Sequence, residues 1–160
     1  MLILCSDKSR IGVSGNKVNF ISFVSVNLKE YSAVAEYLVP ADAEYLKDHF
    51  PETPMLPGLL MLEIAVQAAG LWMMRNSSSP EVSSFDLDSL EHLYISRRVI
   101  PDEILKMKVK ITEITANLRE AQITAEGFVS EEKAMKAKFH MSGLITKANC
   151  STRTNVGENL

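Results

Sequence analysis

His49-Phe50-Pro51-Glu52-Thr53-Pro54-Met55-Leu56-Pro57-Gly58-Leu59-Leu60-Met61-Leu62-Glu63 sets an imidazole and a carboxyl group on either side of a proline-punctuated turn that opens a helix. Each proline fixes its own φ and denies the α region to the residue before it, so residues 49–56 are expected to be stiff, extended and non-helical. Pro57 falls where proline is welcome, in the first turn of a helix, and the apolar run from Leu59 continues without a breaker. Glu63 then lies roughly 7–8 Å along the helix axis at 1.5 Å per residue. It interrupts an otherwise apolar stretch from Leu59 to Ala69. Gln67 stands one turn further on the same face, within reach to hydrogen-bond the carboxyl group and fix its rotamer. Ala65, Ala68, Ala69 and Gly70 give this helix a small-residue face, as expected of a helix wrapped by a sheet.

These residue types suit acid/base chemistry. Burial of Glu63 in such surroundings disfavours its charged form, while histidine accepts a proton near neutrality. The pair therefore offers an acid and a base with different environments. Gly58, in the first helical turn, has an N–H that no i−4 carbonyl can accept, and it lets a substrate approach the backbone closely. With the helix dipole it would stabilise an oxygen that gains negative charge, such as a thioester enolate. Proton removal beside a carbonyl, with Glu63 helping a neighbouring hydroxyl to leave as water, is the reaction this spacing fits.

The segment resembles the signature of the β-hydroxyacyl-acyl carrier protein dehydratases of the hot-dog fold: His-Phe-Pro, a few residues, Pro-Gly, then Glu on the central helix, including the fourteen-residue step from histidine to glutamate. The resemblance implies catalytic roles for His49 and Glu63, contributed by opposite subunits of a homodimer, with a trimer of dimers left open. It implies substrate-binding roles for Gly58, whose N–H would hold the thioester carbonyl, and for Gln67, which matches the family's glutamine one turn beyond its glutamate. The implied reaction is loss of water from a (3R)-hydroxyacyl-acyl carrier protein to give the trans-2-enoyl thioester, in fatty acid or related polyketide or polyene biosynthesis. No cofactor is implied beyond the phosphopantetheine that carries the substrate. The acidic carrier protein would meet a positive patch, for which Arg97 and Arg98 are the candidates.

Arg97-Arg98-Val99-Ile100-Pro101-Asp102-Glu103 resembles the family's basic, Pro-Val, Pro-Gly-Asp segment, with two departures. Arg98 stands where the family usually has proline and Asp102 where it usually has glycine. Asp48 and Glu52 replace the glycines that flank the motif histidine, and nothing from Met1 to Lys29 resembles the Leu-Pro-His-Arg-Tyr-Pro segment of common bacterial members. The isomerising branch has aspartate where this chain has Glu63, which argues against double-bond isomerisation. Resemblance extends over roughly residues 31–146.

A chain of 160 residues suits a single domain, here 1–146, followed by an Asn-, Ser- and Thr-rich tail, 147–160, expected to be disordered. The net charge of −3 gives no reason to propose nucleic acid as a partner. No run of eighteen or more apolar residues suggests a membrane span, and Met1-Leu2-Ile3-Leu4-Cys5 is too short for a signal peptide, so a cytoplasmic protein is expected. Cys5 and Cys150 lack ligand spacing, so reduced thiols and no metal are expected.

Strands are read near 18–29, 31–39, 84–97, 103–115, 118–130 and 134–146, with Lys106, Lys108 and Lys110 on the wet face of the fourth. Two strands, a helix and then several strands predict an α+β fold, an antiparallel sheet around one long helix. His92 and His140 read as surface or hydrogen-bonded structural histidines, and Met61, Trp72, Met73 and Met74 as core. Two other functions stay in play. A hot-dog acyl thioesterase would use a carboxylate to activate water and would not need the His-Phe-Pro geometry. A non-catalytic acyl-carrier-binding module would keep the motif without turnover.

Overall fold

The computed structural model describes residues 20–77, 82–115 and 119–145. In chain order it comprises β1 (Phe23–Asn27), β2 (Ser32–Leu38), α1 (Glu44–Asp48), α2 (Gly58–Asn76), β3 (Val82–Ile95), β4 (Ile104–Ile114), β5 (Glu120–Val129) and β6 (Glu132–Ile145). The strands form one antiparallel sheet in the order β1-β2-β4-β5-β6-β3. The α+β expectation is met, and the sheet packs on α2.

Alternation decides which face of each strand is dry. In β4 Leu105, Met107 and Val109 are buried while Lys106, Lys108 and Lys110 are exposed, the period of two that a half-buried strand requires. The register continues this face across the sheet through Ala35, Met107, Gly127 and Met135. α2 buries Met61, Leu62, Ile64, Ala65, Val66, Gln67, Ala68, Ala69, Trp72 and Met73. Small residues on both surfaces, such as Ala65 and Ala69 on the helix and Ala35 and Ala137 on the sheet, permit close approach, while each large apolar side chain fully buried contributes roughly 1.5–3 kcal/mol. Trp72 Nε1 donates to the Asn27 carbonyl (3.1 Å), fastening the helix to the end of β1.

Several boundaries differ from expectation. The first strand is confined to Phe23–Asn27, and its expected first residues, 18 and 19, lie outside the described residues. β3 stops at Ile95, which leaves Arg97 in the connection to β4. Met74 is exposed, because it faces away from the sheet in the last helical turn. α2 is long and apolar enough by length and mean composition to cross a bilayer, although Glu63 and Gln67 interrupt its apolar run as read from the sequence, and its buried face assigns it to the core. The tail from 147, both cysteines and the segment before Phe20 lie outside the described residues.

α1 was not anticipated. It is a single turn whose Tyr45 hydroxyl shares a hydrogen bond with the Tyr37 hydroxyl on β2 (2.8 Å). Burial, with that bond, pushes the Tyr45 phenol above its ordinary range. α1 is thereby pinned to the sheet immediately before the proline-rich loop.

Candidate active site

His49 is the C-terminal capping residue of α1. Its backbone N–H donates to the Tyr45 carbonyl (3.2 Å), and its ring lies edge-on to Phe50 with centroids 4.6 Å apart. Nδ1 is 3.2 Å from the Met55 carbonyl oxygen. A carbonyl can only accept, so this contact places the proton on Nδ1 and leaves the Nε2 lone pair free in the neutral ring. That is the tautomer a base needs.

The loop is held in a conformation that the prolines alone do not impose. Phe50 has φ 66°, in the left-handed region that a bulky side chain rarely adopts. Its carbonyl accepts from the Thr53 N–H (2.9 Å), which closes a turn over Pro51 and Glu52. The expectation of an extended segment holds for its last residues and gives way to this turn at its start.

Gly58 is the first residue of α2, behind Pro57 at the capping position, where no side chain caps the helix. Its N–H therefore belongs to the orphan donors of the first turn. A Cβ at Gly58 would meet the terminal methyl of the Ile95 side chain at the end of β3, so a larger residue here would have to push that side chain aside.

Glu63 is half-buried rather than buried within one chain. Its Oε1 accepts a hydrogen bond from Gln67 Nε2 (3.0 Å), the one-turn pairing expected from the sequence. Gln67 itself is buried, and its Oε1 accepts from the Phe20 N–H (3.1 Å), a constraint no local pattern predicts. Within one chain His49 and Glu63 are not hydrogen-bonded to each other; each is oriented by its own partner.

The two arginines part company. Arg97 gives Nη1 and Nη2 to the Glu103 carboxylate (3.0 and 2.7 Å), Nε to Glu132 (2.8 Å), and Nη1 also to the Arg98 carbonyl (3.1 Å). These bonds raise the Arg97 pKa above its usual value, and the same Arg97 bonds hold the Glu103 carboxyl below the ordinary carboxylate range. Its charge is committed inside the fold. Arg98 is exposed and forms no ion pair among the described residues. Asp102, where the family usually has glycine, adopts φ 65°, so the turn geometry is retained despite the side chain. His92 is exposed, and His140 Nε2 lies 2.9 Å from Glu91 Oε1 on the surface, in line with structural roles. No group of three or more His, Cys, Asp or Glu residues with metal-binding geometry occurs among the described residues.

A six-stranded antiparallel sheet on one long helix, with a histidine loop at that helix's start, defines a hot-dog protein. Solved hot-dog structures superpose on it at low sequence identity: the fluoroacetyl-CoA thioesterase FlK has a TM-score of 0.60 at 9% identity, with 71% of this chain and 85% of that one covered. The dehydratase heterocomplex ApeI:P from Xenorhabdus doucetiae gives 0.50 at 17% identity, covering 71% and 88%. These likenesses establish the fold alone. By sequence, the chain is 30% identical over 110 residues to the 3-hydroxyacyl-[acyl-carrier-protein] dehydratase FabZ of Clostridioides difficile, covering 68% of this chain and 74% of that one. It is 28% identical over 103 residues to the bifunctional enzyme LpxC/FabZ of Bacteroides thetaiotaomicron, covering 63% of this chain and only 22% of that much longer one. Residues 25–140 match the ApeI-like family, described as ApeI dehydratase, and the chain belongs to that family. It is a dehydratase of the fatty-acid or polyketide-biosynthetic type.

Proposed function

We propose that the chain dehydrates (3R)-hydroxyacyl groups carried on the phosphopantetheine of acyl carrier protein, with His49 as base, Glu63 as acid and Gly58 as the donor to the thioester oxygen. His49 Nε2 takes the proton from C2, and charge passes to the thioester carbonyl oxygen, where the Gly58 N–H and the helix N-terminus stabilise it. Glu63 gives a proton to the C3 hydroxyl, the C3–O bond breaks, and water leaves as the trans C2=C3 bond forms. Proton return from His49 to Glu63 through solvent closes the cycle, with no oxidant or other cofactor required. The observation that carries the reading is the His49 Nδ1 contact with the Met55 carbonyl, which supplies a base with its lone pair unoccupied.

The acid and the base are proposed to come from two copies of the chain. β3 is an edge strand, and Leu87, Leu90 and Ile95 sit in register with the buried Met141, Phe139 and Met135 of β6. The apolar inner face therefore runs out to an uncovered edge, where these three residues are 37%, 40% and 46% exposed, and Leu59 and Phe50 within the 49–63 stretch are more exposed still. Pairing of two β3 edges would cover this surface and enclose the half-buried Glu63. Arg98 is the proposed contact for the acidic carrier, since Arg97 is already neutralised. The reading carries a cytoplasmic location with it.

The test is a panel of (3R)-hydroxyacyl-carrier substrates of increasing chain length, with products followed by mass spectrometry and His49→Ala and Glu63→Gln run alongside. Loss of water by the wild type and not by the variants supports the proposal. Release of free acid would replace it with the thioesterase reading, and carrier binding without turnover would replace it with a binding module.

A further inference from the structure

We propose that Arg97 is a positioning residue for His49, acting through the loop that joins β3 to β4 and through one peptide group of the proline-rich loop. The inference rests on the role given to His49 above.

The Met55–Leu56 peptide is bonded at both ends. Its carbonyl accepts from His49 Nδ1 (3.2 Å), and its N–H donates to the Val99 carbonyl (2.8 Å). The peptide unit is planar, so its C=O and N–H cannot turn independently. The orientation of the acceptor that sets the His49 tautomer is therefore tied to the position of Val99.

Val99 is in turn fixed by Arg97. The guanidinium spans Glu103, Glu132 and the Arg98 carbonyl, while the Glu103 carboxylate also accepts from the Ile100 N–H (2.9 Å) and the Glu103 N–H donates to the Ile100 carbonyl (3.2 Å). The connection from residue 97 to residue 103 is thus closed on itself, with the Val99 side chain fully buried in the core. Further bonds seat it on the sheet, from Ser96 and Arg97 N–H to the Ala134 carbonyl and from Val39 N–H to the Glu103 carbonyl. An arginine held bidentately by one carboxylate and by a second carboxylate at Nε is the geometry a lysine point charge cannot reproduce.

Two roles for Arg97 give different kinetics. A positioning residue changes the chemical step whatever carries the acyl group. A carrier-docking residue changes KM for the protein-borne substrate alone. Arg97→Gln and Arg97→Lys are therefore assayed with a hydroxyacyl-acyl carrier protein and with the same acyl group on free pantetheine, and the His49 ring nitrogens are followed by 15N NMR in each protein. The expected result is a fall in kcat of about tenfold or more for Arg97→Gln with both substrates and KM little changed, partial recovery in Arg97→Lys, and loss of the single Nδ1–H tautomer signature. A rise in KM confined to the carrier-borne substrate, or an unchanged His49 signature in a folded Arg97→Gln protein, overturns the proposal. If the wild type turns over neither substrate, the catalytic reading fails, and the 15N signature still decides whether Arg97 orders His49.

Discussion

Gln67 and Phe20 are joined by a hydrogen bond from the Phe20 N–H to the Gln67 side-chain oxygen (3.1 Å), which leaves the amide nitrogen free to point at Glu63 (3.0 Å). The bond settles which end of the amide faces the carboxyl group, because an N–H can only donate. The sequence N-terminal to β1 therefore takes part in orienting Glu63, the proposed acid. Gln67→Leu removes these two bonds at a position only 3% exposed, taking a partner from the Phe20 N–H and from one Glu63 oxygen. A loss of stability of about 1–3 kcal/mol is expected, read by urea unfolding, together with a fall in kcat of about tenfold. Gln67→Met, close in volume, should lose the same activity while recovering packing, so the two variants separate orientation from core filling.

The helix start, the acid one and a half turns beyond it, and the Glu63–Gln67 pairing were all legible in the sequence because each depends on residues close in the chain. So was the lysine face of β4, where alternation is unbroken. What could not be read is what depends on contacts across the fold. Arg97 and Arg98 look alike in sequence; only the return of Glu103 and Glu132 to the same place distinguishes a clasped guanidinium from a free one. α1 is five residues long, too short for helical periodicity to register, and it is held by contacts across the fold, with Leu46 buried in the core and the Tyr45 hydroxyl bonded to Tyr37. The half-exposure of Glu63 was missed because the apolar run around it reads as uniformly buried, and a sequence pattern does not show which part of a helix surface the rest of the fold covers.

His49→Ala should separate catalysis from stability. The ring is half-buried and forms one neutral hydrogen bond, whose loss costs on the order of 1 kcal/mol. General-base contributions are typically of order 10²–10⁴-fold, so dehydration should fall by at least about a hundredfold while the unfolding midpoint shifts only slightly. A parallel collapse of stability and activity would return His49 to a loop-anchoring role.

The apolar edge of β3 predicts a dependence of activity on association. Leu90→Asp places a charge on the inner-face row next to Phe139, at a position that is 40% exposed in the single chain. Light scattering should show a shift to monomer, and dehydration should fall with it if two copies share a site. A monomer with full activity would place the acid and the base within one chain.

The Arg97–Glu103 pair makes part of the stability depend on pH. The Glu103 carboxyl is held below its ordinary range, chiefly by the Arg97 hydrogen bonds. Its stabilising contribution is therefore present above the unfolded carboxylate range, near about pH 4.3, and is lost as pH falls through the lower folded value. Both side chains are about one quarter exposed, and solvent screening keeps the contribution to about 1 kcal/mol. Wild type and Glu103→Gln should differ by about this amount in urea unfolding at pH 7 and converge as the pH falls through the lowered folded value.

Asp102 offers a substitution in the favourable direction. It is exposed, its N–H donates to the Val39 carbonyl (2.9 Å), and its φ of 65° lies where an L side chain costs about 1–2 kcal/mol. Glycine removes that cost but adds conformational freedom to the unfolded chain worth about 0.4–1 kcal/mol. Asp102→Gly should therefore raise stability by about 0.5–1 kcal/mol, a gain of roughly 1–4 °C in Tm for a chain of this size. Asp102→Ala keeps the steric cost and loses the local hydrogen-bonding capacity that lets aspartate tolerate this region, so it should fall below wild type. If glycine and alanine moved Tm alike, the left-handed turn would not be the controlling term at this position.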